Sequence, residues 1–321
     1  NLGRKTVIKN MDRNCAPIAM FVYNRLDNVM KTIECLTKNT LADDTELYVF
    51  SDGGKDEVSW QQVNAVRKFF RTGSFNLKKV TLIEREVNYY LERNIIEGIS
   101  QILSDYDRVI VLEDDICTSP YFLEYMNDAL DFYKDTKRVM HISGFTHLDV
   151  PYKGDVYFTR HMAGWGWATW ADRWNGCFVH FKSREEALRK MTPDMIRQIE
   201  YGGRFHCLES LDRNPIPWDI CWNINIRTNN GLCLSPTQTL VRNCGINNGT
   251  HFHSMSVFGH YEYDRDFVCR KLDVRKDVVE ADDEVENQLN PAALTDHGFR
   301  YNLLGKIVRF FYVRFIKSKS H

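Results

Sequence analysis

Short apolar runs alternate with amphipathic stretches over the first third of the chain. Four runs have the continuous apolar character of buried strands, and they lie at residues 17–23, 46–50, 80–83 and 108–112. Each run precedes apolar residues at helical spacing; Leu26, Val29 and Ile33, for example, follow the first. Four strand-helix units in series predict an α/β fold with a mostly parallel sheet that is covered by helices on both faces.

Polar residues follow the predicted strands. Arg25 comes after the first strand, Asp52 after the second, and Glu113, Asp114 and Asp115 directly after the fourth. The carboxyl ends of parallel strands meet at one edge of a sheet, and ligands of such sheets bind at that edge. We therefore expect the binding chemistry of this protein at an edge that is rich in carboxylates and arginines.

The triplet of acids at 113–115 is the sharpest local signal. Three adjacent carboxylates repel one another unless a cation lies among them, and a divalent ion there can neutralise the oxygens of a diphosphate. A solvated acidic turn that favours the start of the next helix is the alternative. The position after a buried strand favours a functional role.

Beyond about Val139 the helical and strand periodicity weakens and tryptophan becomes frequent. Four tryptophans fall within ten residues and two follow later, namely Trp165, Trp167, Trp170, Trp174, Trp218 and Trp222. This pattern predicts a second lobe or a large insertion that forms a wall of the site. Trp170 and Trp174 are four residues apart, so we expect them on one helix with a packing role.

Composition and charge restrict the function classes. The chain has 321 residues, of which 43% are hydrophobic and 13% aromatic, so it can bury a sizeable core. With 42 Lys+Arg against 43 Asp+Glu, no overall positive field attracts nucleic acid. Nine cysteines without a C-x-x-C pair argue against a zinc knuckle or a disulfide framework and favour a reducing, cytosolic compartment.

Several enzyme classes lack their motifs. No G-x-G-x-x-G follows the first strand, and no P-loop occurs, which disfavours a dehydrogenase and a P-loop nucleotidase. A sugar-phosphate nucleotidyltransferase would normally show a basic, Gly-rich loop after strand one, where Asn24-Arg25-Leu26 stands instead. That enzyme class and a non-catalytic carbohydrate-binding protein remain the alternatives to the interpretation below.

From 16 to 253 the sequence resembles the GT-A fold of nucleotide-sugar glycosyltransferases, with the nearest likeness to N-acetylglucosaminyltransferase I and similar bacterial sugar transferases. The motifs that carry this resemblance are the strand at 17–25, Ser51-Asp52, Glu113-Asp114-Asp115 with Ser119-Pro120-Tyr121-Phe122, Gly164-Trp165-Gly166-Trp167, Trp218-Asp219 and Arg242 with the glycine loop through Gly249. The resemblance implies a Rossmann-like GT-A domain. It also implies an enzyme of polysaccharide biosynthesis that transfers a hexose or N-acetylhexosamine, with N-acetylglucosamine as one candidate, from a UDP-sugar to a glycan or lipid-linked saccharide.

The resemblance assigns the donor site residue by residue. It implies that Arg25 contacts the diphosphate and that Asp52 accepts a hydrogen bond from the uracil N–H. Asp115 would bind Mn²⁺ or Mg²⁺, while Glu113 and Asp114 would face the ribose and the sugar. Uracil is favoured over cytosine because a carboxylate can only accept a hydrogen bond from the base.

Asp219 matches the catalytic base of inverting members of that fold. An inverting transfer is one in-line displacement, so a single carboxylate that takes the proton of the acceptor hydroxyl is sufficient. The alternative is an N-cap or first-turn residue of the helix that 220–226 suggests. Ile220 stands where a second acid is frequent, which leaves the register of the base open.

The other implied contacts surround these acids. Sugar-wall residues are expected at Gly164, Trp165, Gly166, Trp167 and Trp218, where glycines admit the backbone and indoles offer flat faces. Arg242 would reach the diphosphate when its loop closes. His251 and His253 are either a surface pair or, as in some enzymes of this fold, metal ligands.

The chain ends in an apolar and basic tail. Residues 303–319 suit a basic amphipathic helix on the inner face of a membrane, or equally a terminal helix that docks on the protein itself. The expected organisation is a nucleotide-sugar-binding half at 1–135, an acceptor-side half of the same domain at 136–260, and an extension at 261–321.

Overall fold

The computed structural model describes residues 14–148, 152–200, 207–245 and 266–288. Its first half contains the four predicted strand-helix units. Their bounds are β1 (Ile18–Val22), α1 (Leu26–Leu36), β2 (Glu46–Ser51), α2 (Glu57–Thr72), β3 (Lys79–Glu84), α3 (Tyr90–Asp105), β4 (Arg108–Glu113), β5 (Ile116–Thr118) and α4 (Phe122–Tyr133). The sequence pattern is confirmed here because each helix buries the apolar face that the spacing marked, such as Val29 and Ile33 of α1.

Eight strands form one central sheet. They include β6 (Val139–Ser143), β7 (Val156–Thr159), β8 (Trp167–Trp170) and β9 (Leu232–Pro236), and the order across the sheet is β3-β2-β1-β4-β8-β6-β9-β7. The pairs β2–β3, β1–β2, β1–β4 and β6–β9 are parallel, while β8 and β7 run antiparallel to their neighbours. The mostly parallel sheet with flanking helices is the predicted α/β class, and it is consistent with GT-A.

The tryptophan-rich segment lies largely inside this sheet. Trp167 and Trp170 are the first and last residues of β8, between β4 and β6. The prediction that Trp170 and Trp174 share a helix is wrong, because Trp170 ends a strand and α5 (Ala171–Cys177) begins after it. Both indoles are nevertheless buried, as their expected packing role requires.

Residues 178–200 and 207–216 lie outside the sheet. They contain α6 (Arg184–Arg189), α7 (Pro193–Ile199) and a 3-10 helix (Cys207–Asp212), which share a small apolar cluster. The following helix, α8 (Trp218–Thr228), packs its Trp218, Trp222 and Ile226 into the core on one face of the sheet. This arrangement carries the start of α8 back to the central sheet.

A two-stranded ribbon completes the edge where the candidate site lies. β10 (Val241–Asn243) pairs antiparallel with β5, and α9 (Asp283–Gln288) contacts β7.

All nine cysteines are free thiols. Among the described residues, the helices are all too short or too polar to cross a membrane. The tail at 303–319 lies outside the described residues.

Candidate functional site

The sheet brings the predicted polar residues to one edge. Phe21 of β1 pairs with Glu113, and Val22 pairs with Ser51, so the ends of β1, β2 and β4 are adjacent. Arg25, Asp52 and the acidic turn 113–115 therefore lie on one rim. The parallel register of these strands confirms the prediction that their carboxyl ends converge.

Arg25 binds the acidic turn. Its Nη2 contacts Asp114 Oδ1 and lies 3.0 Å from Asp115 Oδ2, while its Nε donates a hydrogen bond of 3.3 Å to Asp114 Oδ2. Burial lowers the pKa of Arg25, but the charges of Asp114 and Asp115 raise it to a net increase. The guanidinium is therefore held at the turn as a permanent positive charge.

One guanidinium does not balance three carboxylates. Burial raises the pKa of Glu113 to about 8, and the charges of Asp115 and Asp114 add to this rise. Burial likewise raises the pKa of Asp114 to about 6, against the lowering effect of Arg25. Burial and mutual repulsion thus disfavour full ionisation of the turn, and a divalent cation would relieve both by stabilising the charged carboxylates.

Backbone contacts fix the acidic turn in place. The Thr32 hydroxyl of α1 donates a 2.9 Å hydrogen bond to the Asp114 carbonyl, and the Cys244 N–H donates one of 2.7 Å to the Asp115 carbonyl. A Cβ on Gly245 would lie 2.5 Å from Asp115 Oδ2, so only glycine fits there. The sequence analysis missed Thr32 and Cys244. Gly245, by contrast, belongs to the glycine loop that the sequence marked.

Asp52 lies at the end of β2 and is buried. Its Oδ1 accepts hydrogen bonds from the N–H groups of Gly53, at 2.9 Å, and Tyr89, at 2.7 Å. Burial raises its pKa, and these backbone N–H groups partly offset that rise. Tyr89 was also missed, because it directly precedes α3 and no sequence spacing links it to Asp52.

Asp219 is the second residue of α8 and is exposed. Its Oδ1 accepts a 2.8 Å hydrogen bond from the Ile220 N–H, as a first-turn residue can. The preceding Trp218 stacks on Trp167, which lies opposite Val111 of β4, and the charge of Asp219 makes a small contribution to the raised pKa of Glu113. The start of α8 thus brings Asp219 to the acidic turn from a separate part of the sequence.

The predicted sugar wall begins beside the same turn. β8 runs antiparallel to β4 with Trp167 opposite Val111, so Trp165 and the glycines on either side of it stand level with the end of β4. Trp165 and Gly164 are half-buried. They are the parts of this motif that can meet a ligand.

The other two indoles of the wall lie in the core. Trp167 is 0% exposed and stacks on Trp218 with ring centroids 5.4 Å apart. Trp218 is itself 4% exposed. Gly166 has a φ of +57° and packs against Val241, which explains the glycine. Trp167 and Trp218 support the wall from beneath.

Arg242 lies on β10, opposite Cys117 of β5. The carbon of its guanidinium lies 4.9 Å from the centre of the Phe267 ring. Arg242 comes three residues before Gly245 in the sequence, and Gly245 packs on Asp115. The glycine loop beyond Gly245, with Gly249, His251 and His253, lies outside the described residues.

Within the described part of the chain, no group of three or more His, Cys, Asp or Glu side chains is arranged to hold a metal ion by itself. The donor set at 113–115 still has the chemistry of a hard-cation site, since it offers carboxylate oxygens with an excess of negative charge. A cation there would complete its coordination with oxygens from a ligand and water.

A family comparison agrees with this architecture. The family described as glycosyl transferase family 2 matches residues 18–187, which is more than half of the chain and includes β1 to β8 with the acidic turn. The chain belongs to this family. The GT-A resemblance is thereby confirmed at the level of the fold, and the nearer likeness to N-acetylglucosaminyltransferase I stays a prediction.

Several solved structures are similar to this chain. S. aureus TarS has 14% identity and a TM-score of 0.37, over 53% of this chain and 32% of TarS. TarS 1-349 in complex with UDP has 16% identity and a TM-score of 0.35, over 49% of this chain and 47% of its own. The mannosyltransferase PcManGT from Pyrobaculum calidifontis, in complex with GDP-Man and Mn²⁺, has 10% identity and a TM-score of 0.35, over 67% and 70%.

The chain thus spans about a third to a half of the TarS chains that it matches. A comparison with curated protein sequences gave no significant match.

Proposed function

We propose that this protein is an inverting, metal-dependent glycosyltransferase that moves a sugar from a UDP-sugar to a hydroxyl of a glycan or lipid-linked saccharide. The single observation that carries the proposal is the convergence of Arg25, the acidic turn 113–115 and Asp219 at one edge of the sheet. Three chain segments far apart in sequence supply these groups. N-acetylglucosamine is the first donor sugar to test.

The donor would bind along the rim. Asp52 is fixed by two backbone N–H groups and can accept the N3–H of uracil, so it selects the base. Arg25 neutralises part of the acidic turn and can donate to the diphosphate by charge-assisted hydrogen bonds. Glu113 and Asp114 would then accept hydrogen bonds from the ribose and the sugar.

Asp115 is the residue that we propose for the metal. Mn²⁺ or Mg²⁺ suits the carboxylates of this turn, because a cation would stabilise the charged forms that burial and the neighbouring acids disfavour, as the raised pKa of Glu113 indicates. A bound divalent ion supplies neutralisation of the charge that develops on the leaving diphosphate. Gly245 and the Cys244 N–H hold Asp115 in position for this role.

Asp219 is the proposed general base. It is exposed, lies near Glu113, and begins a helix that is anchored in the core by Trp218 and Trp222. A carboxylate at the edge of the donor site can take the proton of an acceptor hydroxyl as that oxygen attacks the sugar carbon. One such base is sufficient for an inverting displacement, in which the acceptor attacks opposite the diphosphate.

Trp165 would form the flat wall against the sugar, with Gly164 and Gly166 admitting the backbone and Trp167 and Trp218 behind. The sugar ring would stack its apolar face on the half-buried indole.

Arg242 would reach the diphosphate from β10. For 303–319 we propose peripheral contact with the inner face of the membrane, where a lipid-linked acceptor would be found.

A panel of nucleotide sugars tests the proposal. The protein is incubated with Mn²⁺, a mixture of acceptor saccharides and each of UDP-, GDP- and CDP-sugars, and the released nucleoside diphosphate is measured. We expect release of UDP from at least one UDP-sugar above the rate without protein. Formation of UTP and a sugar 1-phosphate from a UDP-sugar when inorganic pyrophosphate is added would instead indicate a nucleotidyltransferase, and no release from any donor would contradict the proposed activity.

A further inference from the structure

α8 carries a row of polar side chains that starts at the proposed base. Asp219, Asn223 and Arg227 follow one another at four-residue spacing, so they lie along one side of the helix. Asp219 is exposed, whereas Asn223 and Arg227 are only 3% and 5% exposed. At a rise of 1.5 Å per residue the row is about 12 Å long. It therefore leads from the rim into the protein.

The inner end of this row has hydrogen-bonding atoms that the described residues do not satisfy. Among them, Nε and Nη1 of Arg227 and Oδ1 of Asn223 are buried without a hydrogen-bond partner. A buried guanidinium is costly unless an acceptor, preferably an anionic one, pairs with it. Nε and Nη1 lie on different edges of the guanidinium, so each needs its own acceptor, and a charged oxygen is the strongest acceptor that either could pair with.

The surroundings of Arg227 are polar and partly open. The Asn223 amide nitrogen lies 3.5 Å from Nδ1 of His161, and the ring of His161 lies 5.6 Å from that of His147. Burial, followed by the charges of His147 and Arg227, holds the pKa of His161 well below its usual range. Both histidines are half-buried, so this side of the row reaches the surface.

Ring contacts connect these histidines to the proposed sugar wall. The Phe145 ring lies 5.0 Å from His147 and 4.8 Å from Trp165. On the other side, α8 packs on the short 3-10 helix, with Ile224 in the same apolar cluster as Cys207. The buried arginine is therefore continuous with the site and is not an isolated feature of the core.

We propose that Asn223 and Arg227 form an acceptor subsite that binds a carboxylate or phosphate group of the acceptor saccharide. The inference rests on the proposed role of Asp219. Arg227 would donate a charge-assisted hydrogen bond from Nη1 to an oxygen of the anionic group, and Asn223 Oδ1 would accept a hydrogen bond from a neighbouring hydroxyl. The anionic group and the reacting hydroxyl at Asp219 would then be about 12 Å apart, which restricts the acceptors to acidic saccharides longer than one sugar unit.

Binding of small anionic sugars tests the subsite without knowledge of the natural acceptor. The probes are glucose 1-phosphate and glucuronate, with glucose as the neutral control, and their affinities for the full chain are measured by calorimetry. We expect at least one anion to bind tenfold or more tightly than glucose. A preference for glucose 1-phosphate indicates a phosphate-bearing acceptor, and a preference for glucuronate indicates an acidic sugar.

Variants identify the residue. R227Q should abolish the preference for the anion. If R227Q does not fold, R227K is measured instead. It keeps the charge but not the planar guanidinium, so it should reduce the preference at least threefold. The matched control R213Q changes an exposed arginine just after the 3-10 helix and should retain the preference. Equal binding of anions and glucose to the wild type overturns the inference, as does an unchanged preference in the Arg227 variants.

The same samples separate this inference from the proposed function. Binding of UDP with Mg²⁺ is measured on the wild type and on R227Q, and we expect equal affinity because Arg227 is remote from the donor rim. Binding of UDP together with no anion preference overturns the subsite alone. Failure of the wild type to bind UDP overturns the proposed transferase, whatever the anions do.

Discussion

Asp219 is the residue whose proposed role is tested most simply, because its side chain is exposed and accepts a hydrogen bond from the Ile220 N–H of its own helix. Asp219→Asn keeps the shape and the Ile220 N–H contact but removes the basicity. We expect turnover to fall by about a thousandfold while UDP affinity stays within twofold, as expected for loss of a general base. Initial-rate kinetics and UDP titration check this. Near-normal turnover would mean that the base lies elsewhere.

Asp52 supports a prediction about the choice of base. Asp52→Asn preserves an oxygen for the N–H groups of Gly53 and Tyr89 but replaces the second acceptor by a donor. We expect the affinity for UDP to fall about tenfold, or about 1.5 kcal/mol, and the affinity for CDP to fall less. Competitive titration of the two nucleotides measures this, and an unchanged UDP preference would contradict the role of Asp52.

At the residue scale, sequence reasoning identified the charged groups but not their supports. The acids at 113–115 were visible because a buried strand delivers them, and Asp219 was visible through the family resemblance. Each supporting residue contributes one hydroxyl or N–H group, as Thr32, Tyr89 and Cys244 do. Their partners lie 37 to 129 positions away in the sequence. Such contacts depend on the packed fold and leave no periodic signal.

The ribbon of β5 and β10 is the element that holds Asp115. Gly245→Ala would place a Cβ 2.5 Å from Asp115 Oδ2, so the carboxylate must move. We expect UDP affinity in the presence of Mn²⁺ to fall at least about tenfold, which corresponds to about 1.4 kcal/mol. Gly176→Ala is the matched control, because its Cβ would meet open space, and it should leave UDP binding unchanged. Calorimetry on both variants decides the matter.

The strands and helices of the first half were predictable because their apolar periodicity is long and each face is buried. The second half was not, because β6, β7 and β9 are each followed by another strand, so no helical spacing marks where they end. Without the strand-helix alternation, the aromatic residues of β8 looked like part of an added lobe. The position of Trp170 at a strand end shows how a four-residue spacing alone misleads.

The raised pKa of Glu113 should make the stability of the whole molecule depend on pH. The pKa of the Glu113 carboxyl is raised in the folded protein from an ordinary 4.5 to about 8. A group of this kind stabilises the fold while it is protonated, and that stability is lost as the pH rises from about 4.5 through 8. Without metal, the melting temperature should therefore be higher at pH 6 than at pH 8.

Glu113→Gln removes this ionisation. We expect the melting temperature of the variant to change less between pH 6 and pH 8 than that of the wild type, with the difference concentrated at pH 8. Asp114 titrates in the same direction, so part of the dependence remains. Differential scanning calorimetry without metal provides the comparison, and equal pH dependence in both proteins would contradict the assignment of the charge to Glu113.

The central claim is that the acidic end of β4 binds a divalent cation together with the diphosphate of the donor. Its most direct test is the calorimetric titration of UDP into the wild type and Asp115→Ala, each with Mn²⁺ and with EDTA. We predict that the wild type binds UDP at least tenfold more tightly with Mn²⁺ than with EDTA and that Asp115→Ala shows no such difference. Binding of UDP that is equally tight without metal, or unchanged in Asp115→Ala, would contradict the account.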